Sequence, residues 1–222
     1  MPHVAVVLAA GGSRRLGRPK QLLTRAGEPL LRRAARLALA SGAARTLVVL
    51  GAEREAMAVA LFGLDLECVS NPDWEDGLAG SLRCAARVLG EPAAPVLVLG
   101  CDQPALERAH LRQLLRGAAA AASGCAATAH GGMGANASAS VAPASPVAAS
   151  IAPALGVPAV LSPALWREAA QLHGDRGFGA ALRRLPADAV WRLQAPELQH
   201  DLDTPDDLAF AVAQGWIDTS AT

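Results

Sequence analysis

The chain has 222 residues, 52% of them apolar and 18% charged, a composition that supports one globular domain over residues 1–222 with a substantial core. Its 20 basic and 20 acidic residues cancel, which argues against binding to nucleic acid or to an anionic membrane. No apolar stretch free of charges and of helix-breaking residues reaches the roughly 20 residues of a transmembrane helix. Four cysteines without a CxxC pair, and no basic segment before the first apolar run, predict a reduced, cytoplasmic protein.

Short β-rich runs alternate with longer helical patterns in the first half of the chain. Residues 4–10 form an apolar run that ends in glycine, typical of a strand buried on both faces of a parallel sheet. A helix is predicted over 29–42, with Pro29 in its first turn and Gly42 as its stop. The other elements predicted here are strands over 46–51, 66–69 and 95–100 and helices over 53–62 and 77–89. This order predicts an α/β fold with a mostly parallel central sheet and helices on both faces.

In such sheets, ligands bind beyond the carboxyl ends of the strands. We therefore expect the functional residues to lie just after Leu8, Val69 and Leu99.

The second half is less regular. A segment over about 117–155 is rich in Ala, Ser, Gly and Pro, and we interpret it as a low-complexity insert. Within it we predict strands around CAATAH (125–130) and SVAP (140–143) and a mobile loop at HGGMGANAS (130–138).

Regular elements resume after this segment. A strand is predicted at GVPAVLS (156–162), followed by a helix that Ser162 caps and Pro163 begins. Near the end of the chain, Thr204 and Pro205 open a helix with an acidic first turn.

The loop LAAGGSRRLGRPKQLL (8–23) places cations directly behind a Gly-Gly turn. A Walker A loop is excluded because two residues separate its second glycine from Lys20. A dinucleotide fingerprint is disfavoured because GxGxxG is absent and Pro19 would disturb the helix that must follow. The favoured interpretation is a wide loop in which Ala10–Ser13 lie against a nucleotide while Arg15 and Lys20 reach its phosphates. A solvated basic surface is the alternative.

This loop resembles the signature of the molybdenum-cofactor nucleotidyltransferase family, LAxG, one residue, Ser, one residue, RMG, a short gap and Lys. Leu16 takes the place of the usual methionine. The resemblance recurs, in the family's order, at NPDWEDGLAGSL (71–82), GCDQP (100–104), GVPAVL (156–161), GDRG (174–177) and DLDTPDDL (201–208). It implies a Rossmann-like, glycosyltransferase-A-like nucleotidyltransferase fold. The LAAG and CDQP variants resemble the cytidylyltransferase branch, whereas the guanylyltransferase branch typically has LAGG and CDMP.

The resemblance implies transfer of CMP from CTP to the terminal phosphate of molybdenum-loaded molybdopterin, with release of pyrophosphate. For this chemistry we expect Lys20 and Arg15 to neutralise the triphosphate and Asp102 to act as a catalytic Mg²⁺ ligand. In an extended segment Asp201 and Asp203 point to opposite sides, and we assign the second metal carboxylate to Asp203. Acidic residues at strand ends and first helical turns also occur for structural reasons alone.

The remaining site predictions concern the two substrates. The residues expected to bind the nucleotide are Leu8, Ala9, Ala10, Gly11, Gly12, Ser13, Asn71, Gly77, Ser81 and Gln103. Asp175 and Arg176 are expected to bind the acceptor. Trp74 would either stack on a ring or form the rim of the core.

Two other functions stay open on the sequence. One is guanylyl or sugar-phosphate nucleotidyl transfer with the same loop. The other is a non-catalytic carrier or chaperone that binds the finished cofactor, although Lys20 and Asp102 together favour catalysis. The expected partners are small molecules and a molybdoenzyme or its chaperone, with no nucleic acid and no membrane.

Overall fold

Seven strands form the central sheet in the computed structural model of the chain, which describes residues 1–131 and 154–219. The strands of these ranges are β1 (Val4–Ala9), β2 (Thr24–Arg25), β3 (Glu28–Pro29), β4 (Arg45–Leu50), β5 (Glu67–Ser70), β6 (Val96–Gly100), β7 (Cys125–His130), β8 (Ala154–Leu161) and β9 (Val190–Leu193). Their helices are α1 (Leu30–Ala40), α2 (Arg54–Ala60), α3 (Leu78–Leu89), α4 (Arg108–Ala120), α5 (Pro163–Trp166), α6 (Gly179–Arg184) and α7 (Pro205–Ala213).

The sheet has the order β5-β4-β1-β6-β8-β7-β9. β1 pairs in parallel with β4 and β6, and β8 pairs antiparallel with both of its neighbours. The separate pair β2-β3 is a short antiparallel hairpin. The predicted α/β fold with a mostly parallel sheet is confirmed.

Helices cover both faces of the sheet, as predicted. Alternate side chains of β1 enter two cores, because successive residues of a strand point to opposite faces. Val7 packs into a cluster that includes residues of α1 and α4, and Val6 packs into one that includes residues of α3, α5 and α6. Burial on both faces explains why β1 is an unbroken apolar run.

The carboxyl ends of β1 and β6 lie side by side, since Leu8 is paired with Gly100. β4 lies on the other side of β1, where Ala9 is paired with Leu50. The loops that follow these three strands therefore meet at one edge of the sheet.

The helix caps predicted in the second half are confirmed. The Ser162 hydroxyl accepts a hydrogen bond from the Leu165 amide at 3.4 Å, although α5 has only four residues and continues as a 3-10 helix. Thr204 and Asp207 form a reciprocal capping box at the start of α7, with hydrogen bonds of 2.8 and 3.2 Å. The hydrogen bond from the Thr204 hydroxyl lowers the pKa of Asp207.

The start of α1 and the start of the predicted insert differ from the predictions. α1 begins at Leu30, because Pro29 belongs to the β2-β3 hairpin. Residues 117–120 end α4, so the predicted insert begins within a helix, whereas the strand predicted at CAATAH is confirmed as β7. The SVAP strand and residues 132–138 of the predicted mobile loop lie outside the described residues.

No helix in residues 1–131 and 154–219 has the length and apolar character needed to cross a membrane. All four cysteines carry free thiols, and Cys68 alone among them is exposed.

Candidate active site

A cleft of about 540 Å³ lies at the edge where β1 and β6 end. The predicted site residues that line it are Leu8, Ala9, Ala10, Gly11, Gly12, Ser13, Arg15, Lys20, Gly77, Ser81, Asp102, Asp175 and Asp203. The structure thus brings together residues from loops far apart in the sequence.

Three predicted site residues do not line this cleft. Asn71 is buried, and its side-chain amide donates a hydrogen bond to the Ser81 hydroxyl at 3.2 Å. The amide of Gln103 donates to the carbonyls of Val157 at 3.2 Å and Leu198 at 2.9 Å. These contacts give both amides partners inside the protein.

Arg176 lines a neighbouring cavity, also of about 540 Å³, whose walls are mainly apolar. Leu8, Leu78, Val157 and Asp201 line both spaces, so the cleft and the cavity adjoin.

The glycine-rich loop turns sharply after Gly12. Ser13 has a positive φ of 50°, and its carbonyl accepts hydrogen bonds from the amides of Leu16 and Gly17, both at 3.1 Å. Leu16 is buried in a small apolar cluster that includes Leu202. Apolar packing at Leu16 anchors the turn, which leaves Arg14 and Arg15 on its exposed side.

Lys20 is held between two carboxylates. Its ammonium nitrogen lies 2.8 Å from Asp102 Oδ2 and 2.8 Å from Asp203 Oδ1. Burial acts to lower the pKa of Lys20, but the two carboxylates outweigh it, so the pKa is raised and the side chain is a permanent cation. Arg15 adds a second cation, 2.8 Å from Asp203 Oδ2 on the exposed side.

Asp102 and Asp203 come together through a backbone contact. The Leu202 amide donates to the Asp102 carbonyl at 3.0 Å, and this joins the two acidic segments. Gly100 leaves room for the Asp102 carboxylate, since a Cβ there would lie 2.5 Å from Asp102 Oδ1. Burial acts to raise the pKa of Asp203, but the hydrogen bond from Lys20 and the nearby cations lower it.

Asp201 was not expected to share the site with Asp203. Both side chains line the cleft, and Asp201 also lines the apolar cavity. Asp201 is exposed at the edge of the cleft, and partial desolvation of its carboxyl group together with the charge of Asp102 raises its pKa. Asp201 and Asp203 nevertheless have different partners, as expected for alternate residues of an extended segment. Asp203 is the one that pairs with Lys20.

The donor set fits a divalent cation that is completed by substrate oxygens. Asp102 and Asp203 both contact the Lys20 ammonium, and their carboxylates offer the hard oxygen ligands that Mg²⁺ and Mn²⁺ prefer. No group of three or more His, Cys, Asp and Glu residues in the described ranges is arranged to hold a metal alone. Mg²⁺ commonly uses one or two carboxylates together with phosphate oxygens.

Trp74 forms the wall beside the glycine-rich loop. A Cβ at Gly12 would lie 2.7 Å from its ring, so Gly12 makes room for this indole, whereas Gly11 faces open space. Arg14 lies over the ring, 5.3 Å from its centroid, and forms an ion pair with Glu75. Arg14 and Arg15 both line the cleft but have different partners, Trp74 and Glu75 for Arg14 and Asp203 for Arg15.

The GDRG turn docks on the start of α3. Gly77 has a φ of 86°, and a Cβ there would collide with Gly174 and with the Asp175 carboxylate. The Ala79 amide also donates to the Gly174 carbonyl at 2.9 Å. This packing brings Asp175 to the cleft and Arg176 to the cavity beside it.

Two contributors were missed from the sequence. Gln21 is buried beneath the glycine-rich loop, and Asp201 shares the carboxylate cluster. The composition of the chain does point to Lys20, because it is the only lysine among 20 Lys and Arg residues.

A cleft of this kind, with cations facing carboxylates beyond the strand ends, suits the binding of a nucleoside triphosphate, and the fold is that of the Rossmann-like nucleotidyltransferases. The sequence profile of the MobA-like NTP transferase domain matches residues 5–190, and the chain belongs to this family. The resemblance to molybdenum-cofactor nucleotidyltransferases is thereby confirmed.

Two curated relatives are similar over part of the chain. Nicotine blue oxidoreductase of Paenarthrobacter nicotinovorans is 36% identical over 111 residues, covering 50% of this chain and 54% of the relative. The bifunctional protein GlmU of Sorangium cellulosum is 36% identical over 124 residues, covering 53% of this chain and 26% of GlmU. The matched part therefore spans about half or less of these relatives.

Among solved structures, Rv0371c of Mycobacterium tuberculosis H37Rv is similar over nearly the whole chain. It has 28% sequence identity and a TM-score of 0.70, with 95% of this chain and 97% of Rv0371c covered. A further crystal structure of Rv0371c is a complex with manganese, and it has a TM-score of 0.64.

Proposed function

We propose that this chain is a cytoplasmic, Mg²⁺-dependent cytidylyltransferase that moves CMP from CTP to the terminal phosphate of molybdenum-loaded molybdopterin. The observation that carries the proposal is Lys20, held 2.8 Å from each of two carboxylates at the end of the nucleotide-sized cleft. Membership of the MobA-like family supports nucleotidyl transfer. The manganese complex of Rv0371c supports a divalent ion.

In this reaction an oxygen of the acceptor phosphate attacks the α-phosphorus of CTP, and the bond to pyrophosphate breaks. Negative charge moves onto groups that are already anionic, so fixed cations supply much of the stabilisation. Lys20 and Arg15 are placed to neutralise the triphosphate, with Lys20 nearest the transferred group. A divalent ion held by Asp102 and Asp203 would supply further charge neutralisation.

The acceptor is proposed to lie on the side of Asp175 and Arg176, because the cleft opens there into the apolar cavity. A guanylyl or sugar-phosphate transferase would use the same phosphate machinery with another base or acceptor. A carrier of the finished cofactor has no need of a half-buried lysine held between carboxylates. A molybdoenzyme or its chaperone is the proposed recipient of the product.

The proposal is tested by pyrophosphate release with each of the four nucleoside triphosphates, with and without molybdenum-loaded molybdopterin. We expect release with CTP that depends on the acceptor. If none of the four nucleotides gives pyrophosphate, the transferase proposal is wrong and the carrier function is favoured. Release with GTP, or with a sugar phosphate as acceptor, would identify one of the other transferases.

CTP is expected to exceed GTP in kcat/KM by at least about tenfold, which requires only about 1.4 kcal/mol of differential transition-state binding. Ala10 lines the cleft, and its methyl group packs closely against Gly51. A Cβ added at Gly51 would lie 2.9 Å from the Ala10 methyl carbon. We infer that the Ala10 methyl group narrows the cleft and so favours cytosine over the larger guanine. Ala10→Gly should therefore reduce the preference while chemistry continues.

Steady-state kinetics with both nucleotides checks this prediction. Ala5→Gly is the matched control, because Ala5 is buried in β1, the strand that precedes Ala10, and lies away from the cleft. Equal or better use of GTP by the unmodified chain would contradict the assignment of the base.

Arg176→Ala is expected to raise the KM for the acceptor by about tenfold or more, since a charge-assisted contact to an anionic substrate is lost. The KM for CTP should change little, because Arg176 lies outside the nucleotide cleft. Titration of each substrate against a saturating amount of the other separates the two constants. Arg112→Ala, at an exposed position of α4, is the control. A matching rise in both KM values would argue against an acceptor role.

A further inference from the structure

Gln21 is a buried amide directly beneath the glycine-rich loop. It follows Lys20 in a short 3-10 helix, and only 1% of its surface is exposed. Its side-chain nitrogen donates hydrogen bonds to the carbonyls of Gly11 at 2.6 Å and Ala9 at 3.2 Å. Its side-chain oxygen accepts from the Ser13 hydroxyl at 3.2 Å. One side chain therefore contacts three residues of the loop.

These contacts fix the orientation of the amide. The reversed amide would place its oxygen against two carbonyl oxygens, with no donor between them. The Ser13 hydroxyl, which donates to Gln21, in turn accepts from the Lys20 amide at 3.1 Å. Gln21 thus ties the loop to the residue that carries the catalytic ammonium.

The same contacts determine which polar groups the loop presents. The carbonyls of Ala9 and Gly11 are occupied by Gln21, and the carbonyl of Ala10 accepts from the Ala52 amide at 3.1 Å. In a planar trans peptide the carbonyl and the following N–H point in opposite directions. Turning the Gly11 carbonyl towards Gln21 therefore turns the Gly12 N–H away from it.

We propose that Gln21 is a positioning residue that prepares the glycine-rich loop for polyphosphate, by withdrawing two backbone carbonyls from the anion and orienting Ser13 beside Lys20. Concave runs of backbone N–H groups bind anions, and a carbonyl oxygen turned into such a site repels them. The inference rests on the proposed function, because it assigns the loop to the phosphates of a nucleotide.

Gln21→Met tests this role, since methionine has a similar length and volume but no amide. Without donors, the carbonyls of Ala9 and Gly11 gain partners only by turning towards water in the cleft, the space that the phosphates require. Affinity for CTP with Mg²⁺ should fall on the order of tenfold or more, because each buried acceptor that loses its donor carries a large cost. Affinity for cytidine, which has no phosphate, should change by less than about twofold.

Calorimetric titration with CTP and with cytidine measures both affinities, and thermal unfolding is followed in parallel. Gln113→Met is the matched control, because Gln113 is exposed on α4. Gln21→Glu should lose more CTP affinity than Gln21→Met, since a carboxylate cannot donate to the two carbonyls and adds negative charge beneath the loop.

A merely structural role predicts a lower melting temperature with unchanged CTP affinity, and this outcome would overturn the inference. Equal losses for CTP and cytidine would also overturn it, because the effect would then not concern phosphate. If the unmodified chain binds none of the four nucleoside triphosphates, the proposed function fails first. Binding by the unmodified chain with equal binding by Gln21→Met contradicts the role of Gln21 alone.

Discussion

Lys20→Ala is expected to lower turnover by at least about 100-fold, whereas Arg18→Ala should lower it by less than about threefold. Lys20 lies in the cleft with its side chain 14% exposed, where water screens its charge weakly. Arg18 is exposed and lies outside the residues that line the cleft. A cation placed against developing charge stabilises the transition state, but a peripheral cation adds only general attraction.

Parallel kinetics of alanine variants at Arg14, Arg15, Arg18 and Lys20 test this ranking. Arg15→Ala should give an intermediate loss, because Arg15 also pairs with Asp203 but is mostly exposed. Each variant is checked by circular dichroism and thermal unfolding, since Lys20→Ala leaves Asp102 and Asp203 without their shared cation. Similar small losses at all four positions would mean that the loop is only a diffuse basic surface.

Salt offers a second test of the same prediction. Raising ionic strength should scarcely reproduce the effect of Lys20→Ala, because screening acts mainly on exposed charges. Arg14 and Arg15 should account for most of the salt dependence, since both line the cleft with side chains that are 71% exposed. A loss of turnover in high salt as large as that of Lys20→Ala would argue that Lys20 acts at long range.

The composition of the chain makes Lys20 directly observable. Because it is the only lysine, labelling with ¹³Cε-lysine gives a single side-chain NMR signal. That signal should shift when CTP and Mg²⁺ are added. The same shift in a folded Arg18→Ala variant would show that Arg18 does not hold Lys20 in place.

The arrangement of the sheet was predictable because its central strands are unbroken apolar runs separated by amphipathic helices. Parallel strands place their carboxyl ends at one edge, and this brought Lys20 and Asp102 together in the prediction. The direction of β8 was not predictable, since an apolar run reads the same for parallel and antiparallel pairing.

The remaining site details depend on backbone groups whose positions only the fold determines. Nothing in the sequence distinguishes Gln21 from other polar residues. Its side chain matters because the fold brings the carbonyls of Ala9 and Gly11 within hydrogen-bond distance of it. Gln103 follows Asp102 in the sequence, yet its amide turns inward to carbonyls of two distant segments. Gly12 was predicted to contact a nucleotide, and the sequence did not show that its lack of a side chain also makes room for the indole of Trp74.

Asp102→Asn is expected to lower turnover by about 100-fold or more while the fold stays intact. Asparagine keeps the shape of the side chain and can still pack beside Gly100, but it removes one of the two carboxylates proposed to hold the divalent ion. It also removes a charge that raises the pKa of Lys20, so that pKa should fall. Weaker activation by Mg²⁺ and Mn²⁺ is expected along with the lower rate.

The measurement is a titration of turnover with Mg²⁺ and Mn²⁺, with the ¹³Cε signal of Lys20 followed against pH. Asp206→Asn is the control, because Asp206 is an exposed carboxylate outside the cleft. If the chain is a carrier, the Asp102→Asn variant should bind the finished cofactor as well as the unmodified chain does. If the chain is a transferase, the variant should bind CTP more weakly and turn over much more slowly. Unchanged product formation by folded Asp102→Asn protein would exclude the proposed metal role, and the cations Lys20 and Arg15 would then have to supply the charge stabilisation.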